Sequence, residues 1–127
     1  LVSVGGSEGI DFAVRSVINP GDEVIIPQPS FVCYEPIVRL AGGVPVIIET
    51  VAENNFRITP QQLEDSITDK TKPLILPYPC NPTGAIMERD DLEKIAAVLR
   101  KTLFCRTRYT ASLHMRTAMC PSRLLTG

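Results

Sequence analysis

The 127-residue sequence has no tryptophan, a single histidine and no Cys-x-x-Cys pair. Its four cysteines, Cys33, Cys80, Cys105 and Cys120, are widely spaced, and His114 is the only imidazole. That excludes the ligand spacings of a structural zinc site and the dense, even pattern of a disulfide-stapled secreted domain. A reducing compartment fits this usage, and the expected location is cytoplasmic. Charge of one sign is also lacking: 13 basic side chains face 14 acidic ones, for a net charge of -1. No basic stripe therefore exists to follow a phosphate backbone. No apolar run approaches the roughly 20 residues needed to cross a bilayer. An initiating methionine and a leader-type segment are missing, and Leu1-Val2-Ser3-Val4 reads as a chain entered in mid-domain. Nucleic acid, membrane and metal drop out as expected partners.

What is present is alternation. Apolar residues at helical spacing (Ile10, Ala13, Val14, Val17, Ile18) predict a helix over about 7–18. A strand is expected at 23–27 and a helix at 32–41, stopped by Gly42-Gly43. A further strand is expected at 44–49, its start demoted to an entry position by Pro45. Thr59-Pro60 is a cap followed by a first-turn proline, so a short helix begins there. The last expected strand is 73–78 and the last helix 89–100. Helices between short apolar strands imply an α/β fold with a mostly parallel sheet covered on its faces.

Three segments carry chemistry. Val4-Gly5-Gly6-Ser7-Glu8-Gly9 opens the first helix, where N–H groups without internal partners and the helix dipole can hold a phosphate or carboxylate. Adjacent Gly5 and Gly6 do not make a G-x-G dinucleotide fingerprint, and an ordinary capped helix fits the same residues. Pro27-Gln28-Pro29-Ser30-Phe31 follows the second element and puts Phe31 at a strand-to-helix junction. There it can cover a flat ring or simply pack in the core. Asn81-Pro82-Thr83-Gly84 follows the apolar run Pro73–Pro77, at the strand end where ligands bind in open α/β sheets. Alone, that turn is compatible with no more than a chain reversal.

Together, the segment from Gly5 to Val46, the later Ile58–Lys72 and the final Asn-Pro-Thr-Gly resemble the class I/II aminotransferases, through about residues 1–101. The resemblance implies a partial three-layer α/β/α sandwich, from the large domain of a fold-type I pyridoxal-phosphate enzyme. It implies that Gly6, Ser7 and Glu8 hold the phosphate of pyridoxal 5'-phosphate and that Phe31 stacks on its pyridine ring. Asn81, in a peptide to Pro82 that is often cis in the family, would bond the phenolic oxygen and help place the substrate carboxylate. Amino-acid and 2-oxo-acid substrates and a homodimer come with the family. A carbon–sulfur lyase on the same fold, a non-catalytic regulator domain and a decayed gene are the competing readings.

After Lys101 the pattern breaks. Residues 102–127 hold arginines but no lysine and no acid, and show no periodicity. The family's Asp-Glu-x-Tyr strand end, whose Asp pairs with the pyridine nitrogen, is absent here. Reading the last base of each codon with the first two of the next permits Leu-Ser-Asp-Glu-Ile-Tyr over Phe104–Thr110. A one-base slip near codon 101 is therefore expected, with 102–127 an out-of-frame tail, disordered or non-native. The Schiff-base lysine and the substrate-carboxylate arginine are also missing, since none of Lys70, Lys72, Lys94 and Lys101 lies in a Ser-x-x-Lys context. No catalytic residue is expected in this chain, only cofactor-positioning ones, and the chain is expected to be inactive alone with weak cofactor binding at most.

Overall fold

The computed structural model describes residues 2–106. The chain runs α1 (Gly6–Val17), β1 (Glu23–Gln28), α2 (Tyr34–Leu40), β2 (Val44–Glu49), a 3-10 turn (Ala52–Asn54), α3 (Pro60–Ser66), β3 (Thr71–Leu74) and α4 (Arg89–Arg106). The three strands form one parallel sheet in the order β2-β1-β3.

β1 is central, and its sequence says why. A strand covered on both faces needs a continuous apolar run rather than alternation. Val24, Ile25 and Ile26 supply it at 0%, 0% and 1% exposure. Val24 and Ile26 pack with Val14 and Ile18, at the end of α1, and with Ile37 and Val38 of α2. Ile25 points the other way, into Leu63 of α3, Ile95 of α4, Ile48 and Ile58. Each such side chain contributes about 1.5–3 kcal/mol by leaving water. The result is the expected three-layer α/β/α arrangement, with α1 and α2 on one face and α3 and α4 on the other.

Local signals set most boundaries. Gly42 turns the chain out of α2 with φ 83, a conformation that favours glycine. Thr59 starts α3 with a full capping box: its hydroxyl accepts from Gln62 N–H, and the Gln62 side chain accepts from Thr59 N–H. Pro36 sits in the first turn of α2, where its missing N–H costs no helical bond.

Some bounds differ from expectation. β3 covers Thr71–Leu74 rather than 73–78. Pro73 and Pro77 have no N–H to give the ladder, and the pairing with β1 is irregular between Glu23 and Ile25. Ile75 N–H still donates to Ile25 O at 3.0 Å, after which the chain leaves the sheet. α2 begins at Tyr34, later than 32, because a turn closed by Tyr34 N–H on Phe31 O comes first. α4 continues past 100 to Arg106, so the opening positions of the expected tail are helical backbone. The rest of that tail, residues 107–127, lies outside the described residues.

Candidate functional site

The chain leaves β1 for α2 on one face of the sheet and leaves β3 for α4 on the other. Adjacent parallel strands whose connections diverge in this way open a crevice beyond their carboxyl ends. The crevice is present as an open cleft of about 320 Å³, with Pro29, Ser30, Phe31 and Glu35 on one wall and Pro82 on the other.

The first wall is anchored at the end of β1, where Gln28 O accepts from both the N–H and the hydroxyl of Thr50 at 2.7 Å. Phe31 is half-buried, and its ring meets Tyr34 edge-on, with centroids 5.8 Å apart and planes at 78°. An aromatic held by one neighbour in this way can present a face to a second flat group. Burial pushes the Tyr34 hydroxyl pKa up, and nearby Cys80 and Cys33 push it the same way.

The second wall is the Asn81-Pro82-Thr83-Gly84 turn. Gly84 has φ 71, and its N–H donates to Cys80 O at 2.7 Å, while Cys80 N–H donates to Ala85 O at 2.9 Å. The Asn81-Pro82 peptide is cis, as are Gln28-Pro29 and Tyr78-Pro79. Asn81 is exposed beside the cleft, and its amide makes no hydrogen bond to the described residues.

α1 runs antiparallel to β1, so its N-terminus comes to the same edge of the sheet. Ile10, near its start, packs on the cluster that also takes Cys33 and Tyr34. Arg15, near its end, reaches Leu40 O at the far end of α2. Gly5 caps the helix with φ 84 and no side-chain bond, and the first helical bond is Gly9 N–H to Gly5 O. The N–H groups of Gly6, Ser7 and Glu8 are thus unspent. A Cβ built on Gly6 would meet nothing within 4 Å. The Glu8 carboxylate accepts from Val4 N–H and so fixes the entry to the helix. Gly6–Glu8, Phe31 and Asn81 share one sheet edge, but no hydrogen bond or ring contact joins the three groups.

These groups fit part of pyridoxal 5'-phosphate. Three free N–H groups and a hydroxyl suit a phosphate, Phe31 suits a flat ring, and the free Asn81 amide suits a phenolic oxygen. No lysine reaches the cleft. Lys70 lies at the opposite edge, where its carbonyl accepts from Glu23 N–H. Lys101 pairs with Glu64, joining α4 to α3, and Lys94 lines a smaller cavity of about 120 Å³ beside Arg57 and Asp91. Among the described residues no group of His, Cys, Asp and Glu could hold a metal, and no helix is long and apolar enough to cross a membrane.

Sequence reasoning missed one contact at the site. The buried Cys80 thiol donates to Pro29 O at 3.2 Å, across 51 positions of chain. Nothing in the local sequence signals a bond between residues so far apart.

The family model for aminotransferase class I and II matches residues 1–105. The chain is 44% identical over 101 residues to the putative aminotransferase YugH of Bacillus subtilis, covering 80% of this chain and 26% of that protein. It is 48% identical over 98 residues to the aspartate aminotransferase of Bacillus sp. strain YM-2, covering 77% and 25%. The aspartate aminotransferase of Thermus thermophilus, solved with maleate, superposes with a TM-score of 0.75 at 38% identity, over 78% of this chain and 26% of that one. The chain thus spans about a quarter of the length of the curated relatives it matches.

Proposed function

The chain belongs to the class I and II aminotransferases, and from that membership we propose that the whole protein moves an amino group from an amino acid to a 2-oxo acid with pyridoxal 5'-phosphate. When bound, the cofactor supplies the carbonyl that takes up the amino group and a ring that accepts electrons. The residues of this chain bind and orient. The N–H groups of Gly6, Ser7 and Glu8, with the Ser7 hydroxyl, hold the phosphate, and the Glu8 carboxylate keeps the helix entry in place. Phe31 holds the ring plane, and the Asn81 amide donates to the phenolic oxygen. The reading rests on one observation: a helix start with unspent N–H groups, a cleft-lining aromatic and a free amide share one edge of a parallel sheet.

In this reading residues 1–101 belong to the large domain and 102–127 are an out-of-frame tail. The whole protein is a cytoplasmic homodimer. The match to the family model ends at residue 105, close to where acidic residues and lysines disappear. The relatives named above are aminotransferases, which favours amino-group transfer over carbon–sulfur cleavage.

The test begins with the DNA through codons 95–127 and beyond. One base that restores Asp-Glu-Ile-Tyr and a later Ser-x-x-Lys supports the reading, and the restored protein should turn over aspartate, an aromatic amino acid or N-acetyl-LL-diaminopimelate with 2-oxoglutarate. The 127-residue chain should give no turnover. A restored protein that binds the cofactor yet transfers no amino group from any proteinogenic amino acid or from N-acetyl-LL-diaminopimelate would overturn the proposal.

A further inference from the structure

We propose that Cys80 is a positioning residue, whose thiol sets the width of the cleft by tying the Asn81 turn to the Phe31 loop. Both backbone groups of Cys80 are spent within its own turn, on Ala85 O and Gly84 N–H. Its side chain is free to act elsewhere, and it donates to Pro29 O at 3.2 Å. Among the described residues this is the only hydrogen bond between the loop and helix start at 28–35 and the turn at 77–85. Its two ends lie next to the site: Cys80 precedes Asn81, and Pro29 and Pro82 line opposite walls. Cys80 is 7% exposed, so little water reaches the bond. Without it, no hydrogen bond among the described residues would join the two walls. A displacement of about an ångström between groups that orient one ligand can cost on the order of a hundredfold in rate.

A buried cysteine can also be a small apolar filler. The two roles separate by substitution. Cys80→Ser keeps a donor of nearly the same size, Cys80→Val fills the space with a slightly larger group and no donor, and Cys80→Ala keeps neither. What the cleft holds rests on the cofactor reading above, whereas the tie between its walls does not.

The decisive experiment is amide NMR on the 127-residue chain, first ligand-free and then titrated with pyridoxal 5'-phosphate. Ligand-free, the Ala and Val variants should show new microsecond–millisecond exchange at Ser30–Val32 and at Asn81, Thr83 and Gly84. The Ser variant should match the parent, and Val24–Ile26 should stay protected in all four chains. In the titration, affinity should fall roughly two- to tenfold for Ala and Val, the range set by the net worth of one hydrogen bond. The end-point shifts at Gly6 and Ser7 should persist, while those at Phe31 and Asn81 shrink. Loops as ordered in Ala and Val as in the parent overturn the proposal, and so does a Ser variant as disordered as Ala. If the 127-residue parent takes up no pyridoxal 5'-phosphate, as its expected weak binding allows, the ligand-free comparison alone decides the role of Cys80. Should Ala fail to fold, Val and Ser carry the same comparison.

Discussion

At the scale of single residues, Tyr78 shows how one hydroxyl holds two segments. Its O–H donates to Phe56 O at 2.8 Å and accepts from Ile58 N–H at 3.2 Å. The segment it grips is strained, because Asn55 and Phe56 have φ of 50 and 52, where residues with a Cβ are disfavoured. Tyr78→Phe leaves the Ile58 N–H without its acceptor, and the cost should be about 1–3 kcal/mol, read from the urea midpoint at neutral pH. Burial raises the Tyr78 pKa, against a smaller downward pull from the Ile58 N–H. A phenol whose folded pKa lies above its unfolded value keeps its proton longer in the folded chain. Its contribution is fully present below about pH 10 and is lost as pH rises from there through the folded value. Tyr34 is shifted in the same direction and adds to the slope. The parent should therefore lose stability on alkaline titration more steeply than Tyr78→Phe. Equal slopes would show that Tyr78 carries none of the effect. None of this was legible in the sequence, where Tyr78 stands only as the neighbour of two prolines, its partners some twenty positions upstream.

At the scale of elements, short helices and strands lean on their ends. α3 has seven residues, too few to persist by propensity alone. Its capping box and Leu63, which is fully buried, hold it to the sheet. Thr59→Ala should cost about 1 kcal/mol, measurable as a lower denaturant midpoint with an unchanged slope. Gly43 works by absence: a Cβ there would stand 2.7 Å from Ile18 Cδ1 and 3.0 Å from Val38 Cγ1. Gly43→Ala should therefore destabilise by about 1–3 kcal/mol through overpacking where α1, α2 and β2 meet. A melting temperature unchanged by the substitution would show that Ile18 can move aside. The Thr59-Pro60 start and the Gly42-Gly43 stop were legible because caps and glycines act locally. The bounds of β3 were not, because an apolar run containing prolines looks like a strand while its pairing depends on donors from the neighbouring strand. The three motifs of the candidate site were each legible, and the shared edge of Phe31 and Asn81 followed from the alternation of elements; the arrival of the α1 start at that edge did not. The Cys80–Pro29 tie was not, since it depends on how two loops meet.

At the scale of the whole molecule, the sheet has open margins. Among the described residues β2 and β3 each pair with β1 alone, so each presents one unpaired side. Large apolar side chains also stand in water, with Val32 at 79% exposure and Leu40 at 72%. An unpaired strand edge is a template for another chain, and a chain spanning about a quarter of its relatives can bury only part of what the full fold would. The 127-residue chain should therefore associate as its concentration rises, visible as a growing weight-average mass in sedimentation. Val44 begins β2 and is 47% exposed, so a lysine there adds charge at the margin with little loss of buried surface. Val44→Lys should shift the chain toward monomer and leave its unfolding midpoint within about 0.5 kcal/mol of the parent, as for surface substitutions generally. Association unchanged by Val44→Lys would move the sticky surface to β3 or to the exposed face of α1, where Phe12 is 43% exposed. A Phe12→Lys variant then separates those two: a shift toward monomer assigns the surface to α1, and no shift assigns it to β3. A parent that stays monomeric throughout would show that this piece of the fold closes its margins without a further strand.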